Sequence, residues 1–184
     1  MPHDVVLALG SNLGDRLGIL QGCVDAIAGM PEVEVMAVSP VYETVPVGGP
    51  DQPDYLNAVL LARTRLAARP LLGRLQAVEQ AFGRVRDVRF GPRTLDIDVI
   101  AYGRDVSGDP VLTLPHPRAH ERAFVLAPWH DVDPDATLPG GGRVADLLAA
   151  AERRSEGVRR TDAVLTLAAK GGPGGWVPPG GAER

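Results

Sequence analysis

The residues best placed to do chemistry lie in the run Arg89-Phe90-Gly91-Pro92-Arg93-Thr94-Leu95-Asp96-Ile97-Asp98-Val99-Ile100. Its second half reads as a strand, with Leu95, Ile97 and Val99 on one face and Asp96 and Asp98 on the other. Two residues at ~3.3 Å each bring those carboxylates to ~7 Å apart on one surface. Two like charges that close are costly unless something positive sits between them. Oxygen-only ligands beside arginines suit Mg²⁺ carrying phosphate, since that ion is usually held by one or two carboxylates plus substrate phosphates. The bland alternative is a solvated strand edge with two unrelated acids.

Around this strand the cations are almost all arginine. Arg84, Arg86, Arg89 and Arg93 crowd one loop, and Arg118 and Arg122 follow His116 and His120. The fixed guanidinium fork matches phosphate bidentately, so such a cluster can hold a polyphosphate without lysine. Lys170 is the only lysine and opens the glycine-rich tail, which removes both a Walker-type phosphate loop and a Schiff-base mechanism. Gln76 and Glu79, three apart on a predicted helix, share a face. His120 reads as a surface residue, and Ser11 in G-S-N as structural.

A third group is Tyr55, Asn57, Phe90 and Phe124. Aromatics are only 4% of the chain, and these three sit beside loops and polar motifs. A flat heterocycle between two rings gains about 0.5–1.5 kcal/mol per contact beyond burial. Asparagine offers the donor and acceptor that the amide edge of such a ring requires. Plain core packing is the competing account. No G-x-S-x-G elbow is present, so the expected chemistry is direct phosphoryl or pyrophosphoryl transfer by positioning and charge neutralisation.

The elements that must position these residues follow from periodicity. Val5 to Leu9 reads as a buried strand closed by Gly10-Ser11-Asn12. Asn12 or Asp15 can cap a helix carrying Leu17, Leu20, Val24 and Ile27 inward, with Cys23 as a small buried hydrophobe. Val33 to Ala37 alternate as a second strand continuing to Glu43. A proline-rich loop fills 45–54, and Tyr55 to Leu66 form a third strand. Ala67 to Phe82 form a helix with Leu71, Leu72, Leu75 and Val78 inward and Gly83 at its end. After the Asp96–Asp98 strand come a turn at 103–110, a short strand near Val111 and Leu112, and a rigid Leu114-Pro115-His116-Pro117. Helices are expected at 124–129 and 144–151, and a late strand at 158–168. The order β-α-β-β-α-β predicts an α+β fold with a ferredoxin-like βαββαβ core, an antiparallel sheet flanked by helices that in this motif lie on one face.

Bulk properties narrow the classes. The chain has 184 residues, 45% hydrophobic and 23% charged, the balance of an ordinary folded protein rather than a disordered one. One domain over 1–168 with a disordered Gly/Pro-rich tail at 169–184 is the simplest organisation. A net charge of −4 leaves no electrostatic footprint for nucleic acid. A single cysteine excludes an intrachain disulfide or multi-cysteine zinc site. With no signal-like or membrane-spanning run, a cytoplasmic location and no membrane partner are expected.

Taken together, the motifs A-L-G-S-N-L-G, D-Q-P-D-Y-L-N-A at 51–58, G-R-V-R at 83–86, F-G-P-R-T-L-D-I-D at 90–98 and L-P-H-P at 114–117 resemble one family. It is that of the 6-hydroxymethyl-7,8-dihydropterin pyrophosphokinases of the folate pathway, matched in order over residues 3 to 130. The resemblance implies transfer of the terminal diphosphate of ATP to the pterin hydroxymethyl oxygen, releasing AMP. It implies two Mg²⁺ ions on Asp96 and Asp98, and Gln76, Glu79, Arg84, Arg93, His116 and Arg122 around ATP, with Arg84 and Arg93 also serving catalysis. A pterin pocket of Thr44, Pro46, Tyr55, Asn57, Phe90 and Phe124 follows, with Tyr55 and Phe124 as the stacking pair and Phe90 where the family often has tryptophan. Loops 45–54 and 84–92 match segments that close over substrates. A monomer is the family default. Two other readings are another Mg²⁺-dependent transferase with a different hydroxyl acceptor, and a ferredoxin-like nucleic-acid module. The second needs an RNP1-like stretch that the sequence lacks.

Overall fold

The computed structural model describes residues 1–46, 51–83, 94–154 and 158–168. The elements in chain order are β1 (His3–Ser11), α1 (Arg16–Ala28), β2 (Val33–Val38), β3 (Tyr42–Thr44), β4 (Tyr55–Thr64), α2 (Ala68–Ala81), β5 (Asp96–Tyr102), α3 (Ala123–Val132), β6 (Thr137–Leu138), β7 (Gly142–Arg143), α4 (Val144–Glu152) and β8 (Val158–Arg160). The main sheet runs β5-β1-β4-β3-β8, with β2 also pairing β4. Every pairing in it is antiparallel. This is the ferredoxin-like α+β arrangement, with β1 and β4 central and β5 at an edge.

Strand periodicity divides the sheet into two faces. Val5, Leu7 and Leu9 of β1 and Leu56, Ala58 and Leu60 of β4 join Leu20, Val24 and Ile27 of α1 and Leu71, Leu75 and Val78 of α2 in one core. Each fully buried aliphatic side chain there stabilises the fold by about 1.5–3 kcal/mol. Val59 and Ile100 on the other face pack with Val125, Leu126 and Trp129 of α3 and with Val144 and Ala151 of α4. The helices therefore lie on both faces. The one-face expectation covered only α1 and α2, because α3 and α4 come after the βαββαβ repeat.

Other expectations are corrected in detail. β1 runs through Gly10 and Ser11 instead of closing before them, since both pair with β4. Of the two expected cap residues it is Asp15 that caps α1, its Oδ1 accepting from the Gly18 N–H at 3.1 Å. Leu17 is exposed, leaving Leu20, Cys23, Val24 and Ile27 as the buried stripe. The second strand breaks at Ser39-Pro40 into β2 and β3, as a proline without an N–H dictates. Residues 111–112 form no strand; Val111 is exposed, and the pairing there is an isolated bridge between Ser107 and Leu114. The late strand stops at Arg160. The β6–β7 hairpin lacked an alternating signal in the sequence. The tail at 169–184 and the loop at 84–92 lie outside the described residues, as does 47–50 of the proline-rich loop.

Candidate active site

Asp96 and Asp98 begin β5 and are both half-buried, on the opposite face from buried Ile97 and Val99. The alternation then breaks. Val6 pairs with Ala101 and Leu7 with Val99, so Ile100 is an extra residue, a β-bulge. The bulge has a use: the Ile100 carbonyl accepts the His116 N–H at 2.9 Å, which anchors the Leu114-Pro115-His116-Pro117 segment beside the Asp96–Asp98 strand. The Leu114–Pro115 bond in that segment is cis.

His116 is half-buried and neutral at ordinary pH. Burial, and then the Arg122 charge, push its pKa down to about 4, although Asp96 pulls the other way. Its Nδ1 accepts the Arg118 N–H at 3.2 Å, so the neutral ring carries its proton on Nε2. Arg122, immediately before α3, is also half-buried; burial lowers its pKa while Asp98 and Asp96 raise it. Its guanidinium carbon stands 5.5 Å from the centroid of the Phe124 ring, a cation–π contact. His116, Arg122, Asp96 and Asp98 thus share one electrostatic neighbourhood, bordered by Phe124.

Asn57 of β4 is buried, and its Nδ2 donates to the Thr44 Oγ1 of β3 at 2.7 Å. Tyr55, half-buried, pairs with Thr44 across the strands, and half-buried Pro46 follows two residues later. In register, Asp96 faces Gly10, Gly10 faces Asn57, and Asn57 faces Tyr42. One cross-strand row therefore links the acidic strand to the Asn57–Thr44 pair. At about 4.8 Å per strand, Asp96 and Asn57 lie about 10 Å apart.

Glu79 is buried at 2% exposure on α2, and its Oε2 accepts the Ile97 N–H at 3.1 Å. Gln76 is half-buried one turn earlier. Through its bond to Ile97, Glu79 reaches β5 from α2, whose apolar side chains pack on the α1–α2 side of the sheet. Arg84, Phe90 and Arg93 lie outside the described residues.

Sequence reasoning missed several supports of this site. Asn12, weighed only as a helix cap, donates through Nδ2 to Gln52 Oε1 at 2.8 Å and to the Pro53 carbonyl at 3.1 Å. Arg16 donates to Glu43 Oε2 at 3.1 Å and to the Asp54 carbonyl at 2.8 Å. Both tie the end of the proline-rich loop to the start of α1. No local pattern announces contacts 27 to 41 residues apart.

Among the described residues no three His, Cys, Asp or Glu side chains cluster as a closed metal cage. Two oxygen-donor carboxylates on one strand face form an open set, which suits an ion that takes its remaining ligands from phosphate and water. No helix is long and apolar enough to cross a membrane among those residues.

Comparison with known proteins identifies the family. The family model for 7,8-dihydro-6-hydroxymethylpterin-pyrophosphokinase (HPPK) matches residues 6–134. The 2-amino-4-hydroxy-6-hydroxymethyldihydropteridine pyrophosphokinase of Pseudomonas aeruginosa is 45% identical over 160 residues, covering 87% of this chain and 98% of its own. The Mycobacterium leprae protein of the same name is 47% identical over 178 residues, covering 89% and 91%. Among solved structures, an HPPK-DHPS in complex with substrates superposes with a TM-score of 0.65 at 12% identity, over 84% of this chain and 44% of that one. A Plasmodium falciparum HPPK-DHPS with pterin and p-hydroxybenzoate gives 0.65 at 14%, over 84% and 42%. Those likenesses concern fold alone, and this chain spans less than half of either protein. With a family match from residue 6 to 134 and relatives near half identical along almost their whole length, the chain belongs to the 7,8-dihydro-6-hydroxymethylpterin-pyrophosphokinase family and is a pyrophosphokinase-type transferase.

Proposed function

We propose that the protein transfers diphosphate from ATP to the hydroxymethyl oxygen of 6-hydroxymethyl-7,8-dihydropterin, in the cytoplasm and as a monomer, for tetrahydrofolate synthesis. A bond forms between that oxygen and the β-phosphorus, and the bond from the β-phosphorus to the oxygen bridging to the α-phosphorus breaks. AMP leaves with the bridging oxygen, and the hydroxyl proton is released. The observation that carries this reading is the cross-strand row Asp96–Gly10–Asn57, which sets an acidic strand and an amide-bearing pocket about 10 Å apart on one face. That span accommodates a phosphate chain beside a heterocycle's side arm.

Asn57, held by Thr44, presents its amide to the pterin edge, while Tyr55 and Phe124, with Pro46 at the margin, enclose the ring; Phe90 is assigned to the pterin from sequence alone. Arg122 and His116 meet the phosphates, the first as a fixed charge and the second as a neutral Nε2–H donor. Gln76 and Glu79 border the nucleotide at the β5 edge, and Arg84 and Arg93 are assigned to the phosphates from sequence alone. Asp96 and Asp98 would hold magnesium, two ions in this reading, which when bound neutralises phosphate charge as it shifts toward the leaving AMP.

Release of AMP from ATP and Mg²⁺, with and without the pterin, tests this directly in wild type and Asp96→Ala. The expected result is pterin-dependent AMP that disappears in the variant. ADP as product would overturn diphosphate transfer, and turnover indifferent to the pterin would overturn the acceptor.

A further inference from the structure

The middle of the cross-strand row is Gly10, whose backbone dihedrals are not in the left-handed region that would demand glycine. The requirement there comes from space. A Cβ at position 10 would stand 3.2 Å from Asn57 Oδ1 and 3.6 Å from Tyr55 Cδ1. The first distance is tighter than ordinary van der Waals contact, and Asn57 has little freedom to yield. It is buried, its backbone is fixed in β4 between β1 and β3, and its Nδ2 is engaged by Thr44. The only relief is to rotate the amide, which stretches or breaks the bond to Thr44.

We infer that Gly10 is a positioning residue for substrate recognition: the bare Cα seats the Asn57 carboxamide, and any side chain there turns the amide away from the acceptor heterocycle. This rests on the reading of Asn57 as a pterin ligand and deepens it. Gly10 also lies between the acidic strand and Asn57, so the floor that the reacting side arm crosses carries no side chain. The nucleotide side of the row is unaffected by the contact, because Asp96 and Asp98 project from β5 and not from β4.

Three measurements on Gly10→Ala, Asn57→Ala and the double variant test the inference. The pterin KM of Gly10→Ala should rise about tenfold while the KM for ATP stays within about twofold. Added to Asn57→Ala, Gly10→Ala should change the pterin KM by less than about twofold, the non-additivity expected of residues acting through one contact. In the ligand-free protein, the Asn57 side-chain amide resonances should shift and exchange faster in Gly10→Ala. If Gly10→Ala alone does not fold, the double variant should fold, since the clash is gone. Additive effects, equal losses for ATP and pterin, an unmoved Asn57 amide, or a double variant that also fails to fold would each overturn the inference. Wild-type protein with no pterin-dependent AMP release would sink the functional reading instead, and the amide resonances would still decide the seating of Asn57.

Discussion

The Ile97 N–H donates to the buried carboxylate of Glu79 at 3.1 Å, between the two acidic residues of β5. β5 is an edge strand, so every second N–H points away from β1 and needs a partner from elsewhere. Glu79 supplies one at the position flanked by Asp96 and Asp98. The residue proposed to border the nucleotide therefore also fixes the backbone that carries both aspartates.

Removing that acceptor should loosen the strand. Glu79→Ala is expected to cost about 1–3 kcal/mol, the usual penalty for stranding a buried N–H. Glu79→Gln retains an oxygen for Ile97 and should cost less. Denaturant melts give the stability, and hydrogen exchange at the Ile97 amide identifies the bond: protection lost in the alanine variant and largely kept in the glutamine one. Equal protection in all three proteins would contradict the role.

Charge at the second aspartate should matter more than its shape. Asp98→Asn preserves size and leaves the β5 pairing intact, but halves the carboxylate charge available to the proposed divalent ion. Activity should fall by about a hundredfold or more, the scale seen when one electrostatic support of a transition state is removed. The melting temperature should hardly move, which separates a chemical effect from a folding one.

His116 makes stability depend on pH in a definite window. Its folded pKa of about 4 lies below the ordinary histidine value of 6.5, chiefly through burial and then Arg122. Between those values the unfolded chain binds a proton that the folded protein does not, so stability falls as pH drops from about 6.5 to about 4 and is level above it. In ligand-free protein, melts from pH 8 to pH 4 should show a loss for wild type that His116→Gln reduces. Identical pH profiles would show that His116 is not the group responsible.

Cys23 should be silent. It is fully buried, and burial, followed by the Glu79 charge, raises its pKa well above the usual thiol range, so almost no thiolate exists near neutrality. A thiol reagent should therefore label the native protein only as fast as it opens, and the labelling rate should rise with denaturant. Rapid stoichiometric labelling without denaturant would contradict the burial.

Arg16 ties Glu43 of β3 to the Asp54 carbonyl just before Tyr55, and Arg159 of β8 donates to the other oxygen of Glu43. These charges hold Glu43 below the usual carboxylate range, Arg159 first. Arg16→Ala should cost roughly 1 kcal/mol, as for a partly exposed charged contact. It should also speed proteolytic cleavage near residues 51–54. Unchanged cleavage would show that Asn12 alone secures that arm.

Much of this protein was legible because its signals are local. Alternation in Leu95–Val99 assigned the two aspartates to one face, the 3.6-residue pattern of α2 placed Leu71, Leu75 and Val78 inward, and glycine at 83, with φ of 74°, ended that helix. The motif order likewise identified the family. What remained hidden depends on residues distant in sequence. The bulge at Ile100 that receives His116, the Glu79 bond to Ile97 and the tie of Asn12 to Gln52 all arise only once β1, β4 and β5 are in register. The second helical layer was hidden for the same reason: α3 and α4 are legible as helices in sequence, but which sheet face they cover is decided by the face that α1 and α2 leave open. Gly10 marks the division most clearly. Sequence offered Gly10 only as part of the stretch closing the first strand, and the sheet register decided that the space it leaves belongs to Asn57.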